Sequence, residues 1–396
     1  MNLRTLPIGS NSVKYMHQDQ HKIGLVVNPI SGMGGSVGLK GTDGQKILNQ
    51  ARELGAEPEI QNRVKLFLSS LKSQLQDFFL LSAPGVMGES ICVSMNIPHQ
   101  TIPENIFSHP IQLYSTTKYD TQTAVKYFRE KFVDILVFFG GDGTARDILE
   151  VIQQEIPCIG IPGGVKVYSS VFSATPTDGA ELVVKYLKGQ APLMESEVLD
   201  IDENAFRKDI IEVALFGYMK IPHVPMLLQG MKQASPNTDD EIANQQAIAK
   251  TIIEEMKSDT YYLLGPGTTV QWIAKLLGIE KTLLGVDIVK NKVLIARDVN
   301  EKKILETIQN KSTVVVVSPI GNQGFVFGRG NLQITARVMK KIEKENIRII
   351  CSRSKLKSLP YGYIRTDIRN LVMDAQLRGF YRVLIDYNEY KMVKMI

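Results

Sequence analysis

Apolar and polar residues alternate along the chain in blocks whose lengths predict strands and helices in turn. In the first half, continuous apolar runs of strand length stand at His21–Asn28, Ile135–Phe139 and Cys158–Ile161. Segments with the spacing of an amphipathic helix stand at Ala124–Lys131, Ala145–Gln154 and Thr177–Lys188. Strands separated by helices are typical of βαβ units, whose strands are parallel. The first half therefore predicts a parallel sheet.

The pattern changes near residue 192 and later returns to strand, turn and helix. Two neighbouring β-like segments favour a hairpin, at Glu197–Glu203 and Ile210–Phe216. Further strands are predicted at Tyr261–Leu264, Thr282–Asp287, Thr313–Ser318 and Ile347–Cys351, with a final hairpin at Tyr381–Ile385 and Tyr390–Val393. Helices are predicted at Glu241–Met256, Val270–Leu277, Glu301–Gln309 and Ala336–Glu345. The second half therefore predicts mixed strands and helices.

Together these patterns predict an α/β fold with two lobes and a cleft between them. We expect a polar N-terminal extension at residues 1–21, a first domain with a parallel sheet at 22–191, and a second domain at 192–396 that ends in a basic segment. The second domain is predicted to be mixed α/β, and a β-rich architecture stays open for it.

Composition excludes several classes of protein. A hydrophobic content of 44% and a charged content of 22% are those of a globular chain rather than a disordered one. The three cysteines are far apart and show no Cys-x-x-Cys spacing, which argues against a disulfide framework or structural zinc and favours a reducing compartment. Apolar runs fall short of the roughly 18 residues that span a bilayer, and residues 1–22 lack the apolar core of a secretory signal. We expect a cytoplasmic protein.

The net charge of +5 is modest, and the positive excess lies after residue 340. No aromatic and basic recognition motif accompanies it, so we expect anionic small molecules such as nucleotides as partners, and neither nucleic acid nor a membrane.

The sharpest chemical signal is a glycine-rich turn, Gly140-Gly141-Asp142-Gly143-Thr144, between an apolar run and a helical segment. Glycines let backbone N–H groups come close to a phosphate, and the following helix directs its positive end to the same place. A carboxylate in such a turn repels phosphate unless it accepts a proton from an attacking hydroxyl or holds Mg²⁺. The alternative for Asp142 is capping of the helix.

Two further loops have the composition of anion-binding segments. One contains Gly265, Gly267, Thr268 and Thr269, and its alternative is an ordinary turn. The other, Gly321–Asn331, contains Asn322 and Arg329. Arg329 is predicted either to clamp a phosphate with two hydrogen bonds or to form a structural salt bridge.

The ordered set of glycine blocks resembles a known family. The GGDGT turn resembles the signature of the superfamily that contains NAD kinases, diacylglycerol and sphingosine kinases and 6-phosphofructokinase. The neighbouring blocks resemble the predicted ATP-NAD kinase group related to an accessory protein of acetoin catabolism. Those blocks are Asn28-Pro29 with Gly32 and Gly34, Ile159–Lys166 with Gly163, Leu264–Thr269, Leu284–Asp287 and Gly321–Asn331.

The resemblance implies a phosphotransferase that moves a phosphate from ATP or polyphosphate to the ribose 2′-hydroxyl of NAD, with Mg²⁺, to give NADP. It implies that Asp142 accepts the hydroxyl proton and that Gly140, Gly141, Gly143 and Thr144 line the path of the nucleotide. Lys166 is a candidate to neutralise phosphate charge, and a solvated lysine is its alternative. The resemblance also implies self-association.

This chain departs from well-studied NAD kinases at several positions. Their Asn-Glu pair has no counterpart here, because Glu203-Asn204 has the reverse order. Thr366-Asp367-Ile368 stands where a Thr-Gly-Asp stretch is expected. Two other hypotheses therefore stay open, a kinase for another hydroxylated or lipid acceptor and a regulatory protein that binds NAD or ATP without turnover.

Overall fold

The computed structural model describes residues 20–37, 39, 45–163, 167–201, 213–229, 238–320, 324–359 and 362–396. Most of the predicted N-terminal extension, Lys166 and Asn322 lie outside the described residues. No helix of the described segments is long and apolar enough to cross a membrane.

The first domain is built on a parallel sheet, as the sequence predicts. Its five strands are β1 His21–Val27, β2 Phe78–Ser82, β3 His99–Thr101, β4 Ile135–Gly140 and β5 Cys158–Pro162, in the spatial order β3-β2-β1-β4-β5. Its helices are α1 Met33–Ser36, α2 Gln45–Glu53, α3 Ile60–Gln74, α4 Glu89–Ser94, α5 Lys118–Glu130, α6 Asp142–Ile152 and α7 Pro176–Leu187. Each strand pair in this sheet is parallel.

Strand β4 is apolar throughout because both of its faces are covered. Ile135, Val137 and Phe139 belong to one core cluster, whereas Leu136 and Phe138 belong to another. A strand of a parallel sheet with helices on both sides has no solvent face, so a continuous apolar run replaces alternation. This burial fixes the carboxyl end of β4, where the glycine turn begins.

A long antiparallel pair follows the first sheet. Strand β6 spans Leu193–Ile201 and strand β7 spans Val213–Pro222, and they pair in register from Leu193 opposite Pro222. The predicted pairing of these two segments is confirmed, with strands longer than the sequence suggests. The residues between them lie outside the described part of the chain.

The second domain is mixed α/β rather than β-rich. Its strands are β8 Tyr261–Leu264, β9 Asp287–Lys290, β10 Val293–Ala296, β11 Thr313–Val317, β12 Phe325–Phe327, β13 Ile347–Ile350, β14 Arg365–Thr366, β15 Gly379–Asp386 and β16 Glu389–Met395. Its helices are α8 Asp239–Glu255, α9 Thr268–Leu277, α10 Glu301–Ile308, α11 Ala336–Met339, α12 Arg353–Ser358 and α13 Leu371–Leu377.

Seven of these strands form one sheet in the order β10-β9-β8-β11-β13-β15-β16, and β12 pairs with β14. Strands β8, β11, β13 and β15 run parallel, and strands β9, β10 and β16 pair antiparallel to their neighbours. The final hairpin is the predicted one.

Two predicted elements are wrong. The strand predicted at Thr282–Asp287 begins only at Asp287, because the amide and hydroxyl of Thr282 both donate to the Asp287 carboxylate at 2.9 Å and fold the segment back. The helix predicted at Ala336–Glu345 ends at Met339. Beyond it the amides of Lys341 and Ile342 bond three residues back, to Val338 and Met339, which tightens the backbone into turns.

Candidate nucleotide-binding site

The carboxyl ends of β1, β4 and β5 meet at one edge of the first sheet. The Asn28 amide donates to the Phe139 carbonyl at 2.9 Å, and the Gly163 amide donates to the Gly140 carbonyl at 2.7 Å. In open α/β sheets, ligands bind outside this edge. The fold therefore brings together three residues that the sequence places in separate motifs, namely Asn28, Gly140 and Gly163.

The GGDGT turn connects β4 to α6 and has one packed side and one open side. A Cβ at Gly140 would lie 2.5 Å from the Thr144 side chain, so this position must be glycine for packing reasons. A Cβ at Gly141 or Gly143 would meet no atom of the described residues within 4 Å. The Thr144 hydroxyl accepts a hydrogen bond from Asn28 Nδ2 at 3.1 Å. The backbone at Gly141 and Gly143 is therefore open to a ligand.

Asp142 lies in the first turn of α6, and its carboxylate is held by a different segment of the first domain. Oδ2 accepts from the Tyr168 amide at 2.7 Å, and Oδ1 accepts from the Ser169 amide at 2.9 Å and the Ser169 hydroxyl at 2.6 Å. The N-cap residue of α6 is Gly141, which has no side chain that could cap the helix. Helix capping, the alternative for Asp142, therefore does not describe its contacts.

Burial raises the pKa of Asp142 to about 6. The hydrogen bonds from Ser169 and Tyr168 oppose this shift, and the negative charge of Asp200 adds to it. Only 6% of the residue is exposed. A carboxylate has room for about four hydrogen bonds, and the described residues supply three, which leaves one acceptor position on Oδ2. A fixed carboxylate with a pKa close to neutral is suited to accept a proton.

A cluster of arginines joins the two domains beside this edge. Arg63 on α3 pairs with Asp367 at 2.9 Å, and Arg369 pairs with Glu59 at 2.7 Å. Arg369 also donates to the Gly163 carbonyl at 3.0 Å. Sequence reasoning missed Arg63 and Arg369, because no local motif marks contacts across some 300 positions of chain.

Arg329 belongs to the same cluster and is almost completely buried. Its Nη1 donates to Gln229 Oε1 at 2.7 Å, its Nη2 donates to the Ala174 carbonyl, and its Nε lies 3.5 Å from Asp367 Oδ2. Each guanidinium nitrogen thus faces a protein acceptor. This is the structural salt bridge that the sequence left as an alternative, and the predicted phosphate clamp does not describe these contacts.

The first glycine loop lies directly after β1. Gly32 precedes α1 with a φ of 85°, a left-handed conformation that favours glycine, and Gly34 lies inside this short helix. Both follow Asn28 on the same edge of the sheet, which is where the sequence places them.

The second-domain loop connects β8 to α9. Gly265 is packed, because a Cβ there would lie 3.1 Å from Val317 Cγ1. Gly267 has a φ of 110°, and a Cβ there would meet no atom within 4 Å. Thr268 begins α9 and is exposed, whereas Thr269 is completely buried. The turn therefore has the strand, glycine and helix arrangement that anion binding requires.

The donor set of the described residues fits Mg²⁺ only together with a ligand. No group of three or more His, Cys, Asp or Glu residues in the described segments could hold a metal ion. Mg²⁺ is usually bound by one or two carboxylates together with substrate phosphates and water. Asp142 is the carboxylate at the glycine turn that could take part.

Two family models match the chain. The model of the ATP-NAD kinase N-terminal domain matches residues 23–191, and that of the ATP-NAD kinase C-terminal domain matches residues 257–395. Together they span most of the sequence. The chain belongs to the ATP-NAD kinase family. The resemblance drawn from the glycine blocks is confirmed, and so is the two-domain α/β fold of this ATP-NAD kinase family member.

Other comparisons cover smaller parts. The ATP synthase epsilon chain of Campylobacter concisus (strain 13826) is 33% identical over 70 residues, which are 17% of this chain and 54% of that protein. The chain thus spans about half the length of this curated relative. Two structures of a putative diacylglycerol kinase from Bacillus anthracis str. Sterne are 16% identical, with TM-scores of 0.24, over 46% and 47% of each chain. At such TM-scores this likeness supports no argument about the present protein.

Proposed function

We propose that this protein is an ATP-dependent phosphotransferase that phosphorylates the ribose 2′-hydroxyl of NAD to give NADP. One observation carries the proposal: a buried carboxylate with a pKa of about 6 lies in a glycine turn whose outer side is open. Membership of the ATP-NAD kinase family supports the same reaction. The identity of the acceptor rests on the family alone.

In this reaction Oδ2 of Asp142 accepts the proton of the acceptor hydroxyl. The hydroxyl oxygen forms a bond to the γ-phosphorus of ATP while the bond between that phosphorus and the β,γ-bridging oxygen breaks, which releases ADP. Backbone N–H groups at Gly141 and Gly143 and the N-terminus of α6 stabilise the negative charge on the phosphate. Mg²⁺, held by phosphate oxygens and water, would neutralise phosphate charge.

The hydrogen bonds from Tyr168 and Ser169 orient the carboxylate for this role. They hold both oxygens in fixed positions, so little reorganisation is needed when the proton moves.

The same contacts favour a second candidate function. A carboxylate with three protein donors could act mainly as a structural link between α6 and the 168–169 segment, in a protein that binds the nucleotide without turnover.

An activity assay on Asp142→Asn separates these functions. Purified protein is incubated with ATP, Mg²⁺ and one acceptor at a time (NAD, NADH or diacylglycerol), and the phosphorylated product is quantified. We expect the variant to lose 10²- to 10⁴-fold in turnover of NAD, the usual contribution of a general base. Asp239→Asn is the matched control, because Asp239 is an exposed acid in the first turn of α8. Wild-type turnover in Asp142→Asn would refute the catalytic role, and binding of ATP without any product would favour the second candidate.

A pair of glycine variants tests the contact between the turn and the phosphate. The Cβ of Gly143→Ala enters open space inside a helix, so the fold should keep or gain stability. If a phosphate lies against this backbone, the methyl group should nevertheless raise KM for the nucleotide. Gly140→Ala is the contrasting variant, since its Cβ would collide with Thr144 and lower the melting temperature. An unchanged KM in Gly143→Ala would contradict close phosphate binding.

A further inference from the structure

The second domain has a ligand-facing edge of its own. Strands β8, β11 and β13 are adjacent and parallel, so the segments that follow them meet at one edge. These segments are the Gly265–Thr269 turn, Ser318 and helix α12 with Lys355. Neighbouring strands are about 4.8 Å apart, which puts the three segments within reach of one small anion.

Helix α9 presents its N-terminus at this edge. The helix has ten residues, Thr268–Leu277, and its first N–H groups have no partner within the helix, as at every helix N-terminus. The open side of Gly267 lets a ligand approach these groups. The helix dipole favours negative charge at the same place.

An unpaired hydroxyl lies beside this N-terminus. Thr269 is completely buried, and its Oγ1 has no hydrogen-bond partner among the residues that the structure describes. Side chains of an α-helix tilt toward its N-terminus, so the second residue of α9 carries its hydroxyl toward the turn. Burying a hydroxyl without a partner is unfavourable. This donor is therefore satisfied when an acceptor, such as a phosphate oxygen, is bound at the turn.

A lysine reaches the same edge from α12. Lys355 Nζ lies 3.5 Å from Ser318 Oγ, at the end of the central strand β11. Within the described segments, none of the ion pairs includes Lys355. The charge of the nearby Glu241 acts on Lys355, but its carboxylate accepts hydrogen bonds from Gln245 and Ser354 and forms no ion pair with Lys355 among the described residues. The ammonium group of Lys355 thus keeps its capacity for an anion.

We propose that the Gly265–Thr269 turn, Ser318 and Lys355 form a second phosphate-binding site, separate from the Asp142 site. Its ligand is a phosphorylated small molecule whose phosphate lies on the α9 N-terminus, between the Thr269 hydroxyl and the Lys355 ammonium. The site faces the first domain, because Pro266 lies next to Gly330, and the adjacent Arg329 contacts Ala174. A ligand bound here therefore adjoins the interdomain contacts.

Equilibrium binding to the full-length protein tests this proposal. The probes are inorganic phosphate, ATP and NAD, measured by isothermal titration calorimetry with wild type, Thr269→Val, Lys355→Met and Asp142→Asn. We expect Thr269→Val and Lys355→Met each to weaken binding of the responsive probe about tenfold, a typical effect of one hydrogen bond to a charged group. Thr269→Ser should restore binding, and Lys357→Met on the same helix should leave it unchanged. A response to inorganic phosphate alone identifies a free phosphate site, and a response to ATP or NAD identifies a nucleotide phosphate.

Stability measurements separate a binding role from a structural one. Since the Thr269 hydroxyl has no partner within the described part of the chain, Thr269→Val should melt at or above the wild-type temperature while it binds more weakly. Wild-type affinity for all three probes in both Thr269→Val and Lys355→Met would overturn the proposal. That result would leave the catalytic role of Asp142 untouched, and an active Asp142→Asn enzyme would leave this site untouched.

Discussion

The activity of this protein should depend on the ionisation of Asp142. Replacing either of two neighbouring residues, Ser169 and Asp200, should shift the pKa of this carboxyl, in opposite directions. Burial raises the pKa of this carboxyl from 3.8 to about 6. Because the ionised form accepts the proton, about half of the enzyme is competent at pH 6 and about nine tenths at pH 7. We therefore expect kcat/KM to rise with pH through an acid limb near pH 6.

The limb should shift in the two variants that alter the surroundings of the carboxylate. Ser169→Ala removes the hydroxyl hydrogen bond, which lowers the pKa of Asp142 more than the remaining backbone hydrogen bonds do, so the limb should move to higher pH. Asp200→Asn removes a negative charge that raises the pKa, so the limb should move to lower pH. The assay is the formation of phosphorylated NAD between pH 4.5 and 8.5 at low substrate, where kcat/KM reports the free enzyme.

The raised pKa of Asp142 also predicts how the stability of the protein depends on pH. The folded-state pKa of Asp142 lies above its ordinary value, so the group favours folding most below pH 3.8 and loses this contribution as the pH rises through about 6. A shift of about two units corresponds to about 3 kcal/mol. Chemical denaturation measures the free energy of unfolding across this range. As the pH rises, this free energy should fall by about 3 kcal/mol more in wild type than in Asp142→Asn. Acid limbs that coincide in wild type, Ser169→Ala and Asp200→Asn would refute the assignment of the titrating group.

Three further predictions concern stability and assembly. Asp367→Asn removes the carboxylate shared by buried arginines at the domain interface and should destabilise the protein by about 3–5 kcal/mol in chemical denaturation; a loss below 1 kcal/mol would contradict the shared pairing. Asp287→Asn should have a similar cost, because it leaves Lys281 buried without its partner at 3.5 Å, whereas the exposed Asp259→Asn should cost little. Self-association, which the family resemblance implies, should appear as a dimer or larger species in analytical ultracentrifugation, and a monomer at all concentrations would exclude it.

Much of the architecture follows from local patterns. Strands β4 and β8 are continuous apolar runs flanked by glycine turns, so their positions are predicted to within one residue. The glycine turns after them were also predicted, because glycine at the end of a strand is typical of a tight turn or a close approach of the backbone to a ligand. The region between residues 45 and 115 was not predicted, since β3 has only three residues and the short apolar run of β2 is equally compatible with a buried helix segment.

Contacts between distant segments could not be predicted from one sequence. Two of the three donors to Asp142 are the backbone amides of Tyr168 and Ser169, and an amide carries no residue-type signal. The pairing of Arg63 with Asp367 spans more than 300 positions, and either residue alone has the pattern of an ordinary charged surface position. Only the fold shows that these charges are buried together.

These distant contacts connect the second domain to the edge of the first sheet that carries the GGDGT turn. Arg369 donates to the Gly163 carbonyl at 3.0 Å, and the Gly163 amide donates to the Gly140 carbonyl at 2.7 Å. A chain of two hydrogen bonds therefore runs from the domain interface to the first residue of the GGDGT turn. A ligand on the α9 N-terminus lies on the same side of the second domain as the arginine cluster. Gly163 therefore links the contact between the domains to the GGDGT turn, beside the contacts of Arg63 with Asp367 and of Arg329 with Ala174.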